Sequence, residues 1–226
     1  MSQPSIFDIA GPVMVGPSSS HTAGACKIGQ FARALFHRTP KHVRFYLHGS
    51  FGEVYQGHAT DRALLGGVMK FKTRDERIKD SFDIARSQHI DFQFIVQDLG
   101  KEFHPNTVKI ELEDGKHKMS VIGSSIGGGM IKVVRIDDFP VNIHGQVGKY
   151  KTLVVCHDRK ANILPQFQKT IHALGVRVAD LNASSYEDHM LHVFHLDGRN
   201  LLLKEVVELE KIPGVHFVRS LSKLDK

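Results

Sequence analysis

Cysteine is scarce in this chain: 226 residues contain only Cys26 and Cys156, with no paired spacing between them. That excludes a disulfide framework and fits buried free thiols in a reducing compartment. Long apolar runs are also missing. None approaches the roughly 20 residues needed to cross a bilayer, so no membrane association is expected. Residues Met1–Pro4 lack the basic region and apolar stretch of a secretion signal, so the expected location is cytoplasmic. The formal net charge is +6, yet the basic stretches Lys70–Arg77 and Lys79–Arg86 are interleaved with acids, as on a solvated helix face. RRM, KH and zinc-finger patterns are lacking, and nucleic acid is not an expected partner. What remains is an ordinary globular composition, 41% apolar and 24% charged, long enough for one large domain or two small ones.

Periodicity sets the organisation. Ser5–Val15 is a short apolar element broken by Gly11-Pro12. From Thr22 to His37, Ile28, Phe31, Ala32, Leu35 and Phe36 recur at helical spacing. His42–Leu47 alternates like a strand, and Gly49–Gly52 breaks it. Thr60-Asp61 caps a helix with Ala63, Leu64, Leu65 and Val68 inside, and Thr73–Glu76 forms a capping box before Ile78, Phe82 and Ala85. Strands follow at Asp91–Val96, Asn106–Leu112, Lys118–Ser124 and Met130–Ile136. A boundary falls near Val147-Gly148-Lys149, giving domains 1–147 and 150–226. Beyond it the order becomes β-α-β-β-α-β: strands Lys151–Cys156, Arg177–Ala183, Met190–Leu196 and Val215–Leu221, a helix ended by Gly175, and a second ended by Pro213-Gly214. The expected class is α+β (mixed α/β), the second domain being a ferredoxin-like split β-α-β module of the layout that ACT domains share.

The chemistry gathers where the first helix begins. Gly16-Pro17-Ser18-Ser19-Ser20-His21-Thr22-Ala23-Gly24 places four hydroxyls and one imidazole within five residues. A helix start offers unpaired N–H groups and a partial positive charge, which suit a carboxylate or phosphate. Capping by Ser19 or Ser20 is the plainer reading of one such serine, but the run exceeds what a cap needs. A companion lies in Gly57-His58-Ala59-Thr60-Asp61, where His58 and Asp61 flank a second helix start. Either they contact a substrate ammonium or hydroxyl, or Asp61 is an N-cap and His58 a loop residue.

Gly127, Gly128 and Gly129 form a glycine-rich turn without the endings of a phosphate loop or a dinucleotide fingerprint. A tight bend, or packing under a ligand site, is expected there. His189, His192 and His195 share a strand, in which residues three apart point to opposite faces, so no metal site is expected from them. The two cysteines cannot hold an iron–sulfur cluster, which usually takes four thiolates. Ser20 and His21 are adjacent, which does not build a Ser-His-Asp triad.

The run Phe7–Ala25, with Gly49-Ser50-Phe51, Gly57–Asp61, His104-Pro105-Asn106-Thr107 and Ser125–Gly129, closely resembles the beta chains of bacterial iron–sulfur-dependent L-serine dehydratases. The resemblance covers the whole chain. It implies a two-chain lyase that converts L-serine to pyruvate and ammonia through an enamine. A [4Fe-4S] cluster is implied on a separate alpha chain, one iron acting as Lewis acid on the serine hydroxyl while a base removes the α-proton. The resemblance further implies a first domain like the allosteric-substrate-binding domain of some phosphoglycerate dehydrogenases, followed by an ACT domain. The serine run is then expected near the alpha–beta interface. Ser18, Ser19, Ser20 and Thr22, with His58 and Asp61, would hold the substrate carboxylate or shape its pocket, and His21 would assist proton transfer. The turn Asp158–Ile163 carries no glycine, unlike most ACT domains, although Asn162 tolerates positive φ. Effector binding and packing both stay open for this module, and self-association of beta chains through it is expected. Two other readings remain: a free-standing amino-acid sensor without catalysis, and a structural scaffold.

Overall fold

A computed structural model describes residues 19–144 and 151–221. The element Ser5–Val15, Ser18 and the boundary Val147–Lys149 lie outside the described residues. The chain divides into two compact units, the division passing between Asp137 and Asp138 and again between Asn142 and Ile143.

The first unit is built on α1 (Ser19–Phe36) and the strands β1 (His42–His48), β2 (Asp91–Val96), β3 (Thr107–Glu113), β4 (Lys118–Ser125) and β5 (Ile131–Ile136), of a sheet in the order β2-β1-β3-β4-β5-β6 whose last strand, β6 (Phe139–His144), has residues 139–142 in the second unit. β1 pairs parallel to β2 and antiparallel to β3. The parallel pair requires a long crossover, which here contains α2 (Ser50–Val54), α3 (Thr60–Val68), a 3-10 turn (Glu76–Asp80) and α4 (Ser81–Ser87).

α1 carries more than a one-sided stripe. From Thr22 to Phe36 no residue is exposed, because α3 covers one side and the sheet another. Glycines permit the approach. A Cβ on Gly67 would collide with the Cys26 carbonyl oxygen, and one on Gly29 with that of Leu64. On the sheet side, a Cβ on Gly123 would come within 3.1 Å of Ile28. Ile28, Phe31 and Leu35 are fully buried, each contributing about 1.5–3 kcal/mol of apolar burial.

Two capping expectations are corrected. The N-cap of α3 is Ala59, in the left-handed region at φ 53°, and neither Thr60 nor Asp61 occupies that position. Asp61 lies inside the first turn, where its carboxylate accepts from the N–H of Arg62 at 2.7 Å. Before the 3-10 turn, Asp75 rather than Thr73 is the cap, accepting from the N–H of Arg77 at 3.0 Å. Arg77 also grips Asp75 through its guanidinium at 2.9 and 2.6 Å, a second attachment that a threonine hydroxyl cannot offer.

The second unit is a four-stranded antiparallel sheet in the order β10-β7-β9-β8: β7 (Lys151–Asp158), β8 (Arg177–Tyr186), β9 (His189–Asp197) and β10 (Val215–Leu221). With α5 (Leu164–Ala173) after β7 and α6 (Leu203–Glu210) after β9, this is the β-α-β-β-α-β order of the sequence. Phe167 and Ile171 of α5, with Val206 and Leu209 of α6, pack on Leu153, Val155 and Phe194 of the sheet. Phe167 stacks on Phe194 at 5.1 Å. Gly175, at φ 71°, ends α5 as expected. Among the described residues, no helix is long and apolar enough to cross a membrane.

Candidate functional site

The N-terminal half of α1, which begins with Ser19, Ser20, His21 and Thr22, meets three other segments through Thr22, Gly24 and Lys27. Thr22 is buried, and its hydroxyl donates to the carbonyl of His58 at 3.1 Å. The Gly57–Asp61 segment is thereby fastened to α1 through backbone, and the half-buried His58 is held beside the helix. Ala59 supports the bend by its left-handed conformation, which costs a non-glycine residue about 1–2 kcal/mol. Asp61 is 7% exposed. Burial pushes its carboxyl pKa up, while the hydrogen bond from Arg62 N–H and the charge of that arginine pull it back.

The glycine-rich turn closes the second side. Gly127, Gly128 and Gly129 have φ of 97°, 58° and 71°, so three successive residues need the left-handed region that glycine enters without penalty. The turn is locked by Ile126 N–H to Met130 O at 3.0 Å and Met130 N–H to Gly127 O at 2.9 Å. Lys27 of α1 reaches across and donates to Gly129 O at 2.9 Å.

The third segment is the strand end before that turn. Ser125 faces α1 opposite Gly24, whose missing side chain makes the room: a Cβ there would collide with the serine hydroxyl. Ser125 is 1% exposed, and its Oγ has no hydrogen-bond partner. Its N–H donates to Asn106 O at 2.9 Å, and the side-chain carbonyl of Asn106 is likewise buried without a partner. Next to them the protons are accounted for. Thr107 donates to His104 O at 2.6 Å, so Ser124, 2.6 Å away, donates to Thr107. Gly49, at φ 54°, lies so close to Pro105 that a Cβ would sit 2.8 Å from its carbonyl oxygen, which fixes the loop carrying Asn106.

A buried hydroxyl and a buried amide oxygen, both without partners, therefore lie beside the N-terminal half of α1. Such an arrangement can hold a carboxylate on N–H and O–H donors while the amide oxygen accepts from an ammonium. The sequence singles out Ser18, Ser19, Ser20, His21, Thr22, His58, Asp61 and the three glycines; the structure links Thr22 to His58 and Gly129 to α1 through Lys27, and sets Asp61 inside the first turn of α3. Ser18 lies outside the described residues. Lys27, Asn106 and Ser125, which also lie here, are not among the residues the sequence singles out. Asn106 and Ser125 stood inside recognisable runs, but their convergence depends on tertiary structure.

His189, His192 and His195, weighed in the sequence as metal ligands, lie in the second unit. His192 stacks on His157, Nδ1 to Nε2 at 2.9 Å, whereas His195 meets Thr152 at 3.4 Å and His189 packs against His216. A cavity of about 270 Å3 in this unit, lined by Asn142, Asn182, Ser184 and Leu191 among others, contains none of the residues marked in the sequence. The thiols do not fit an iron–sulfur cluster. Cys26 is buried in α1, with Sγ 3.4 Å from Phe71 O, and Cys156 is buried in β7 of the other unit.

The chain is similar to known proteins over most of its length. The family model described as serine dehydratase beta chain matches residues 5–135. A probable L-serine dehydratase beta chain of Bacillus subtilis (strain 168) is 37% identical over 212 residues, covering 93% of this chain and 94% of the relative. The L-serine dehydratase beta chain of Peptoniphilus asaccharolyticus is 39% identical over 184 residues, covering 80% and 81%.

Proposed function

Because the chain belongs to the serine dehydratase beta-chain family, we propose that it is the beta subunit of a two-chain L-serine dehydratase converting L-serine to pyruvate and ammonia, with the start of α1 lining the substrate pocket where it meets the alpha chain. The observation that carries the placement is the Ser125 hydroxyl, buried and unpartnered against α1. An unpaired buried hydroxyl costs about 1–3 kcal/mol, and a ligand at this end would remove that cost.

In this reading the substrate carboxylate sits on the first-turn N–H groups of α1, among Ser18, Ser19 and Ser20. Ser125 donates to it, and Asn106 accepts from the substrate ammonium. Thr22 is a positioning residue, since its hydroxyl fastens the His58 loop. His21 assists proton movement at the pocket, and Asp61 and His58 shape its wall. The α-proton of serine goes to a base and the β-hydroxyl departs with the electrons of the broken C–O bond. The resulting enamine tautomerises and is hydrolysed to pyruvate and ammonia. Four cluster ligands cannot come from two buried thiols in separate units, so the [4Fe-4S] cluster belongs on the alpha chain. The enzyme is cytoplasmic in this reading. Residues 1–147 form the allosteric-substrate-binding-like domain, and residues 150–226 the ACT domain through which beta chains pair.

Anaerobic turnover of L-serine separates the possibilities. Pyruvate should form only when this chain is mixed with an alpha chain carrying a reconstituted cluster. Saturable serine binding to this chain alone, with no turnover in the mixture, would make it a free-standing sensor instead.

A further inference from the structure

We propose that the second unit carries a divalent metal site formed by Asp158, His189 and His216, suited to Zn2+, Co2+ or Ni2+. The three residues come from three strands, β7, β9 and β10. Asp158 lies directly opposite His189 in the β7–β9 register, at the end of the paired segment. His216 is delivered by a bulge. Val215 pairs with His157 and Phe217 with Cys156, so His216 is the extra residue between them. A bulge re-aims one side chain and is a recurrent device beside functional groups. Here it puts His216 Nε2 2.7 Å from Asp158 Oδ1, with the His189 ring 4.8 Å from the His216 ring, centroid to centroid.

One ligand atom from each residue lies within 4.8 Å of the others. An ion bonded at about 2.0–2.2 Å bridges donors roughly 3.3–4 Å apart. Closing the remaining gap takes a rotation of side chains that are exposed or half-buried and free to make it. Two imidazoles and one carboxylate favour first-row divalent metals over Mg2+ and Ca2+, which prefer all-oxygen sites. The exposed position of Asp158 and His216 leaves the fourth coordination place to water.

The surroundings are built. The N–H of Asp158 donates to Gly214 O at 2.8 Å, and Gly214 has φ 85°, with Ala161 so near that a Cβ would lie 2.6 Å from it. On the other side the N–H of Arg159 donates to Asp188 O at 2.7 Å, which fixes the backbone leading into His189. The backbone carrying all three ligands is thus fixed before an ion arrives.

The test is equilibrium dialysis of the tag-free full chain, stripped with chelator, against micromolar Zn2+, with H189Q, H216Q and H117Q beside the unaltered protein. His117 pairs with Asp114 at 3.2 Å and serves as the surface His–Asp control without a third ligand. One equivalent should bind, resist a hundredfold excess of Mg2+, and weaken at least tenfold in both H189Q and H216Q but not in H117Q. Zn2+ should also raise the melting temperature of the unaltered chain and not of H216Q. No bound equivalent in the unaltered chain overturns the site, as does an equivalent that H189Q and H216Q retain.

Discussion

α1 and α5 are both helices lying on sheets, and they are buried in opposite ways. α5 buries Phe167 and Ile171 and leaves its outer face to solvent, as an amphipathic cover does. α1 has no exposed residue from Thr22 to Phe36 and meets α3 backbone against backbone through Gly29 and Gly67. The first arrangement needs only a hydrophobic stripe. The second fixes a helix in position and direction, so that its N-terminal end arrives at a set place beside Ser125 and Gly129. The polar interiors differ in the same sense. In the second unit the buried His157 and His192 satisfy each other at 2.9 Å and Ser184 keeps an unpaired hydroxyl, whereas in the first the unpaired hydroxyl of Ser125 lies against a helix, opposite Gly24.

The comparison breaks most severely at the glycine contact. Gly67→Ala drives a methyl into the Cys26 carbonyl and should cost about 3 kcal/mol, at the upper end of overpacking. Gly57→Ala, where the nearest atom to a Cβ is 3.8 Å away, should leave the denaturant midpoint nearly unchanged. Equal midpoints for the two variants would mean that the close approach does not hold α1. A smaller and opposite effect is expected at Ser125. Ser125→Ala removes a buried unpaired hydroxyl and should stabilise the free chain by about 1 kcal/mol, while kcat/KM of the alpha–beta complex falls roughly tenfold. A variant that lost stability and kept full activity would place the hydroxyl outside the pocket.

The smallest effect sharpens the other side. Burial lowers the pKa of His157, and that of His192 falls from 6.5 to about 4, helped by the neighbouring His157. The unfolded chain therefore binds more protons than the folded one between those values. Stability from the neutral pair is complete above about pH 6.5 and is lost as pH falls toward 4. Thermal melts across that window should show the decline in the unaltered chain and a shallower one in His192→Asn. Parallel declines would assign the pH response to other groups.

Much of the frame was legible because hydrophobic period is a local signal. β2 and β10 begin and end where alternation places them, and three consecutive glycines announced a turn that no other residue could make easily. Local signals failed where a tertiary partner decided. Thr73 and Asp75 are both good caps in isolation, and Arg77 tips the choice by gripping the carboxylate. Thr60-Asp61 resembles a cap, but the helix begins from the left-handed Ala59 that the His58 loop imposes. β6 escaped notice because Pro140 interrupts its run, which an edge strand tolerates. At the site, a hydroxyl run before a helical stripe was visible in the sequence, whereas Asn106 and Ser125 join it only through the pairing of β3 with β4.

The parallel pairing of β1 with β2 has a kinetic consequence. Residues 49–90 must loop out and return before those two strands can meet, and the entropy of closing that loop is spent before any of its contacts reward it. The β3–β4 hairpin faces no such delay, since its strands are neighbours in sequence. Ser125 and the glycine turn therefore stand on an early-forming platform, while His58 rides on the crossover that closes late. The pocket end of α1 is assembled from a fast half and a slow half, and it is complete only once the whole unit has folded.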